Sequence, residues 1–194
     1  VARQPSTTGE TVTRAASELM AARGYHGTSM RDVAKAVGIQ MASLYYYHAS
    51  KQELLVHLMR TTLEDLRRSV EEAMEGAGPD PIDQLDAGLR AHIAFHVERR
   101  DDVIITDSEL RALEDENRPM ILDLRDQYQN LVRAAIQRGV ERGELEGGRI
   151  GIVTTGVMTM CTDVALWYDP NGPLSVDGVA DEILRFVMRG LRAD

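Results

Sequence analysis

Apolar residues recur at three- and four-residue spacing along almost the whole chain, and no stretch alternates convincingly as a half-buried strand would. The pattern predicts an all-α protein. Val12, Ala16, Leu19 and Met20 share one face of a first helix over about 10–23, which Gly24 stops. Ser29 with Asp32 forms a capping box for a short helix to Val37, and Gly38 breaks it. A second short helix starts near Gln40 or Met41. Ser50 and Glu53 repeat the box and open a long helix to about Met74. The Gly76–Pro81 segment "GAGPDP" reads as a linker.

Beyond the linker, Ile82, Leu85, Leu89, His92, Ile93 and His96 share a helix face. A short helix over 102–112 follows, then a break at Glu114–Asn117. Ile121, Leu124, Tyr128, Leu131 and Ala135 mark a long helix ending near Arg142–Gly143. Val153, Val157, Met160, Val164 and Trp167 mark another. After the turn "DPNGP" at Asp169–Pro173, a final helix over 175–191 carries Val179, Ile183, Phe186 and Val187 inward. That makes nine helices.

Charge divides this pattern. The chain of 194 residues has a net charge of −9. Residues 1–55 carry +2 and hold both lysines, while the remainder carries −11. A mildly basic head and an acidic body imply two surfaces with different work. The opening "VARQPSTTG" reads as a flexible arm, with neither an apolar stretch nor a signal-peptide pattern. Cys161 is the one cysteine, so no internal disulfide forms and a buried thiol in a reducing compartment is expected. The uncharged run Ile150–Thr162 is 13 residues long and broken by threonines, too short for the roughly 20 a bilayer needs. A cytoplasmic protein without a membrane span is the expectation.

The chemistry concentrates in "SMRDVAKAVGIQMASLYYYHASK". Ala34 is small where two helices cross, Gly38 permits the turn, and Leu44 six residues later packs the second helix on the first. This is helix-turn-helix spacing. Tyr45, Tyr46 and Tyr47 follow, and three neighbours on a helix cannot all face one core, so at least one hydroxyl must point outward.

Arg14–Leu55 resembles the DNA-binding domain of the TetR family, through Ala15-Ala16, Gly24-Tyr25, Thr28-Ser29, Val33-Ala34, Gly38-Ile39, Ser43-Leu44-Tyr45 and Ser50-Lys51 in unbroken register. The resemblance implies a flexible arm at 1–9, a DNA-binding domain at 10–50, and an effector-binding and dimerisation domain at 51–194. It places Gln40, Met41 and Ser43 at base edges in the major groove. Tyr45 and one neighbour, Tyr46 or Tyr47, would meet phosphate, as would Lys51 and either Thr28 or Ser29 at helix starts. Two departures are His48 and Met20, where the family usually or often has phenylalanine. His48 either packs neutral or adds charge near DNA at low pH.

The body resembles, more loosely, the acyl-CoA-responsive repressors of fatty-acid, steroid and aromatic-acid breakdown, through "SELRAL", "NRPMILDLRDQY", "GVERGEL" and "WYDPNGPLSVDGVADEILRFVMRGL". This implies a ligand-responsive repressor, a homodimer on a palindromic operator, released by a hydrophobic effector such as an acyl-CoA. The expected effector-site residues are His92, His96, Arg118, Arg125, Tyr128, Met160 and Asp163; Asp163 either pairs inside the pocket or borders the apolar stripe, and the alternative for the histidines is a plain structural role. Dimer-surface residues are Val157, Val164, Trp167, Val179, Ile183 and Phe186. His92 and His96 stand four apart, a spacing that also suits a metal, with Asp163 as a further ligand; two visible ligands do not make a site, and no metal or cofactor is assigned. A regulator of drug or aromatic-compound genes, or an effector-binding scaffold without DNA affinity, are the alternatives. No phosphate-cradling glycine run or nucleophile motif supports an enzyme.

Overall fold

The computed structural model describes residues 8–146 and 148–192. Ten α-helices follow in order: α1 (Thr8–Arg23), α2 (Met30–Val37), α3 (Met41–Tyr47), α4 (Lys51–Gly76), α5 (Pro81–Glu98), α6 (Arg100–Ser108), α7 (Arg118–Glu141), α8 (Ile150–Thr162), α9 (Val164–Trp167) and α10 (Val176–Leu191). A 3-10 turn at Leu110–Ala112 precedes α7. Because α8 and α9 are separated only by Asp163, which is itself in the right-handed helical region, they amount to one helix with a jog. Counted so, the nine expected helices are present. No strand occurs among the described residues beyond one isolated bridge, Leu145 to Arg192. Residues 1–7 of the expected arm lie outside the described residues, while Thr8 and Gly9 already belong to α1.

The caps explain where these helices begin. Ser29 accepts from the Asp32 amide at 3.2 Å and the Asp32 carboxylate accepts from the Ser29 amide at 2.9 Å. The Ser29 hydroxyl also donates to that carboxylate, and this bond first, the Ser29 amide second, hold the Asp32 carboxyl below its usual range. Ser50 accepts from the Glu53 amide at 3.0 Å, and Glu53 from the Ala49 amide at 2.8 Å. Asp80 caps α5 ahead of Pro81, whose missing amide proton is one that a helix start leaves unused anyway. Ser175 caps α10.

Packing groups the chain into two compact units. One comprises the residues up to Thr62 together with Asp101–Leu122; the other comprises Leu63–Arg100 and Asp123 onward. The expected division at residue 50 follows chain order, whereas packing adds a distant segment to the head.

In the first unit Val12, Ala16, Met20, Val33 and Leu44 are buried together with Leu54, Leu55 and Met59. Gly38 closes α2 at φ +76°, a left-handed turn that L side chains resist, and its amide donates to the Ala34 carbonyl at 3.0 Å. The distant segment is tied in by polar contacts. Ser17 bonds Asp102, and the Tyr25 amide donates to Glu109 at 3.0 Å. The buried Gln52 amide satisfies its neighbours with nitrogen toward the Ala112 carbonyl (3.2 Å) and the Tyr25 hydroxyl (3.1 Å), and oxygen toward the Glu114 amide (2.9 Å).

In the second unit, α5 is the central helix: α8, α9 and α10 pack against it. Leu85, Leu89 and Ile93 on α5 are fully buried. Gly88 lets α5 close on α4, for a Cβ there would sit 2.8 Å from Met74 Cγ. Arg90 bridges Asp86 and Asp181, both at 2.6 Å, on the half-exposed α5–α10 edge.

Candidate functional site

The head presents α3 as a seven-residue helix with one buried side chain, Leu44. A helix this short has no stability of its own, so docking through Leu44 against α2 sets its position. Every other residue on it is exposed or half-exposed. Tyr46 is 85% exposed, Tyr45 48% and Tyr47 38%, and the Tyr46 and Tyr47 rings meet edge to face at 5.5 Å. Gln40 and Ser43 are exposed and Met41 partly so. The helix offers hydroxyls, an amide and a thioether on one accessible surface.

Three expected contacts are placed differently. Thr28 is 1% exposed, and its hydroxyl donates to the Leu19 (3.2 Å) and Gly24 (3.0 Å) carbonyls. It closes the α1–α2 loop from inside, so the expectation of a phosphate contact from this side chain is corrected. Ser29 is exposed, but its hydroxyl donates to the Asp32 carboxylate at 2.5 Å. Lys51 donates at 2.9 Å to both the Tyr25 and the Thr28 carbonyls, with its ammonium 4.0 Å from the centre of the Tyr25 ring. Two of its three protons are therefore committed to the loop. Lys51→Met should lower the stability of the head by about 1–2 kcal/mol and leave the salt dependence of DNA binding unchanged. Urea unfolding and a salt titration check this. A salt slope smaller by about 0.9 with unaltered unfolding would instead make Lys51 a phosphate contact.

His48 is buried against His57, ring centres 5.1 Å apart. Burial first, and His57 second, lower its pKa against the pull of Glu53. It packs neutral, one of the two expected outcomes.

In the second unit, His92, His96, Tyr128 and Thr162 form a polar seam inside an apolar interior. His92 is fully buried, His96 3% exposed and Tyr128 5%. The Tyr128 hydroxyl bonds His92 Nδ1, and His92 Nε2 meets Thr162 Oγ1 at 3.2 Å. His96 Nδ1 donates to the His92 carbonyl at 2.8 Å, and the two imidazoles stack at 3.8 Å. Burial drives the His92 pKa well below its ordinary value, and His96 adds to this. Burial likewise pushes His96 down to about 4, the His92 carbonyl opposing and Arg125 assisting. Both rings are neutral at physiological pH.

This seam brings together three of the seven expected effector residues, and adds Thr162 and Met158, whose sulfur lies 3.9 Å from the Tyr128 hydroxyl. Arg125 acts on His96 by its charge. Arg118 belongs to the first unit and bonds the Leu113 carbonyl at 3.2 Å, with Asp115 at 3.5 Å. Asp163 is exposed at the α8–α9 jog, which agrees with the border of the apolar stripe, one of its two expected places, and not with pairing inside the site. Met160 is 37% exposed on the outward side of α8. Among the described residues no group of three or more His, Cys, Asp or Glu side chains is arranged to hold a metal.

An apolar surface covers the outward faces of α8, α9 and α10. Ile152 is 67% exposed, Leu166 60%, Trp167 57% and Phe186 68%. Gly151, Thr155, Gly156 and Thr159 are exposed on the same side of α8, small enough for another helix to approach closely. Of the expected dimer residues, Trp167 and Phe186 are here and Ile183 is partly exposed, while Val157, Val164 and Val179 are buried in the chain's own core. That corrects those three. By length and composition alone the window Ile150–Trp167 could cross a membrane, but a third of it is buried in the protein, against α5 and α10.

Comparison with known proteins agrees with this architecture. The family model "Bacterial regulatory proteins, tetR family" matches residues 12–58, and "Tetracyclin repressor-like, C-terminal domain" matches residues 78–191. The HTH-type transcriptional repressor KstR2 of Mycolicibacterium smegmatis is 26% identical over 190 residues, covering 97% of this chain and 92% of that protein. The fatty acid metabolism regulator protein of Bacillus subtilis is 25% identical over 179 residues, covering 91% and 92%. The crystal structure of AibR in complex with isovaleryl coenzyme A and operator DNA shares the fold, with a TM-score of 0.84 and 24% identity over 93% of this chain and 97% of that one. With both family models matched, and one of them spanning more than half its length, the chain belongs to the TetR family of bacterial transcriptional regulators, DNA-binding proteins rather than enzymes.

Proposed function

We propose that the protein is a homodimeric repressor that binds a palindromic operator through α3 in the major groove and leaves it when an acyl thioester of coenzyme A binds the second unit. The carrying observation is α3 itself, held by Leu44 alone and turning three tyrosines, Gln40 and Ser43 outward. Gln40, Met41 and Ser43 at its start read base edges, and the tyrosine hydroxyls donate to phosphate oxygens. Two such helices must stand about 34–36 Å apart to enter successive major grooves. A single chain cannot provide that, and the apolar surface of Ile152, Leu166, Trp167 and Phe186 supplies the place for a second copy. The protein then works where the DNA is, in the cytoplasm.

The effector class is supported by one relative named a fatty acid metabolism regulator protein, and by AibR, whose structure contains isovaleryl coenzyme A together with its operator. Release is a population shift: the effector binds the DNA-incompetent state more tightly than the competent one.

Fluorescence anisotropy with a labelled duplex from just upstream of the protein's own gene tests this, at two salt concentrations and with a long-chain acyl-CoA. Salt-sensitive binding to this duplex over scrambled DNA, reversed by acyl-CoA and not by free coenzyme A, is expected. Specific binding indifferent to acyl-CoA would remove the effector and keep the repressor.

A further inference from the structure

His96 carries the loose end of the buried polar seam. Its Nδ1 faces the His92 carbonyl at 2.8 Å. A carbonyl oxygen only accepts, so Nδ1 holds the proton and the neutral ring leaves Nε2 as a bare lone pair. His92 differs: both of its nitrogens are engaged, by Tyr128 and by Thr162. No hydrogen bond among the described residues reaches His96 Nε2. An acceptor on a ring 3% exposed, in apolar surroundings and next to the Arg125 charge, is poorly served by water.

We propose that the effector presents a hydrogen-bond donor, an O–H or N–H, to Nε2 of His96, and that this nitrogen selects among ligands of the second unit. The inference rests on the acyl-CoA reading above and narrows it. In such a ligand the donor is either a hydroxyl on the acyl chain or an amide N–H of the pantetheine arm. A free carboxylate is disfavoured at this point, because it would set an acceptor against an acceptor. Ligands that lack the donor leave Nε2 unpaired and lose about tenfold in affinity.

The test compares octanoyl-CoA with 3-hydroxyoctanoyl-CoA by calorimetry on the full chain and on His96→Leu. It also follows the 15N resonances of histidine-labelled wild-type protein, which do not depend on the variant folding. An unprotonated ring nitrogen moves upfield when it accepts a hydrogen bond. If the hydroxyl is the donor, the hydroxyacyl thioester binds about tenfold tighter than its parent, only it shifts Nε2, and His96→Leu erases the preference. If both thioesters shift Nε2 and both lose affinity in His96→Leu, the donor is the pantetheine amide and the inference stands. Tight binding of both with no shift of Nε2 would overturn the inference while sparing the acyl-CoA reading. Binding of neither would overturn the acyl-CoA reading and this inference with it.

Discussion

Leu44→Ala is expected to cost the head about 2–5 kcal/mol, the range for truncating a fully buried leucine, and to lower operator affinity by at least about thirtyfold, the equivalent of 2 kcal/mol. The expectation follows from there being no second anchor: every other residue of α3 lies outward or half outward, and seven residues do not hold a helix in water unaided. The loss should be confined to the head. Effector binding to the second unit, read by calorimetry, stays as in the wild type. Tyr46→Phe is the informative contrast. With Tyr46 85% exposed, that change is expected to leave unfolding untouched and, if Tyr46 is the neighbour that meets phosphate, to lower operator affinity by about 1 kcal/mol or fivefold. Unaltered operator binding by Leu44→Ala in anisotropy would show that α3 is held by something other than this side chain.

The second large effect is a loss of stability on acidification. Burial pushes His96 down to about 4 in the folded protein against an ordinary 6.5, and it holds His92 well below the same ordinary value. A base whose folded pKa is depressed binds more protons when unfolded. Stability is therefore full above about pH 6.5 and falls as the pH drops toward 4. At pH 5 His96 alone withdraws about 2 kcal/mol, and His92 adds to this. His48 titrates in the same direction, lowered by burial and by His57. Urea unfolding at pH 7.5 and pH 5 should show a loss of more than about 2 kcal/mol, reduced in a His92→Asn, His96→Gln protein that keeps polar groups and loses the titration. Equal stability at the two pH values would mean that the imidazoles charge without cost.

What could be read from the chain beforehand was local. Ser29 with Asp32, Ser50 with Glu53 and the helix expected over 175–191 each mark a helix start within a few residues, and the observed helices begin there; the cap at Asp80 lay hidden in what read as a linker. The Ala34, Gly38 and Leu44 spacing is equally short-range, and so is the outward turn of the tyrosines. Thr28 was harder, since a hydroxyl at a helix start serves phosphate or the preceding loop, and only the positions of the Leu19 and Gly24 carbonyls decide. Helix α8 is apolar on all sides, so periodicity could not separate the face that meets α5 from the face left open; Val157 and Ile152 look alike in sequence and differ only in what packs on them. Asp163 is a polar residue in an apolar run, and the jog that carries it outward has no local signature. Least visible of all were the ties of Ser17 to Asp102 and of Tyr25 to Glu109, across 85 and 84 positions of chain.

Those ties set a timetable. Residues 101–122 complete the unit that also holds the described residues up to Thr62, so the head cannot finish folding when Thr62 leaves the ribosome. At about 5–20 residues per second, the missing piece follows roughly 3–12 s later. During that interval Tyr25 lacks Glu109, Gln52 lacks Ala112 and Glu114, and the nascent helices stand half-assembled beside one another.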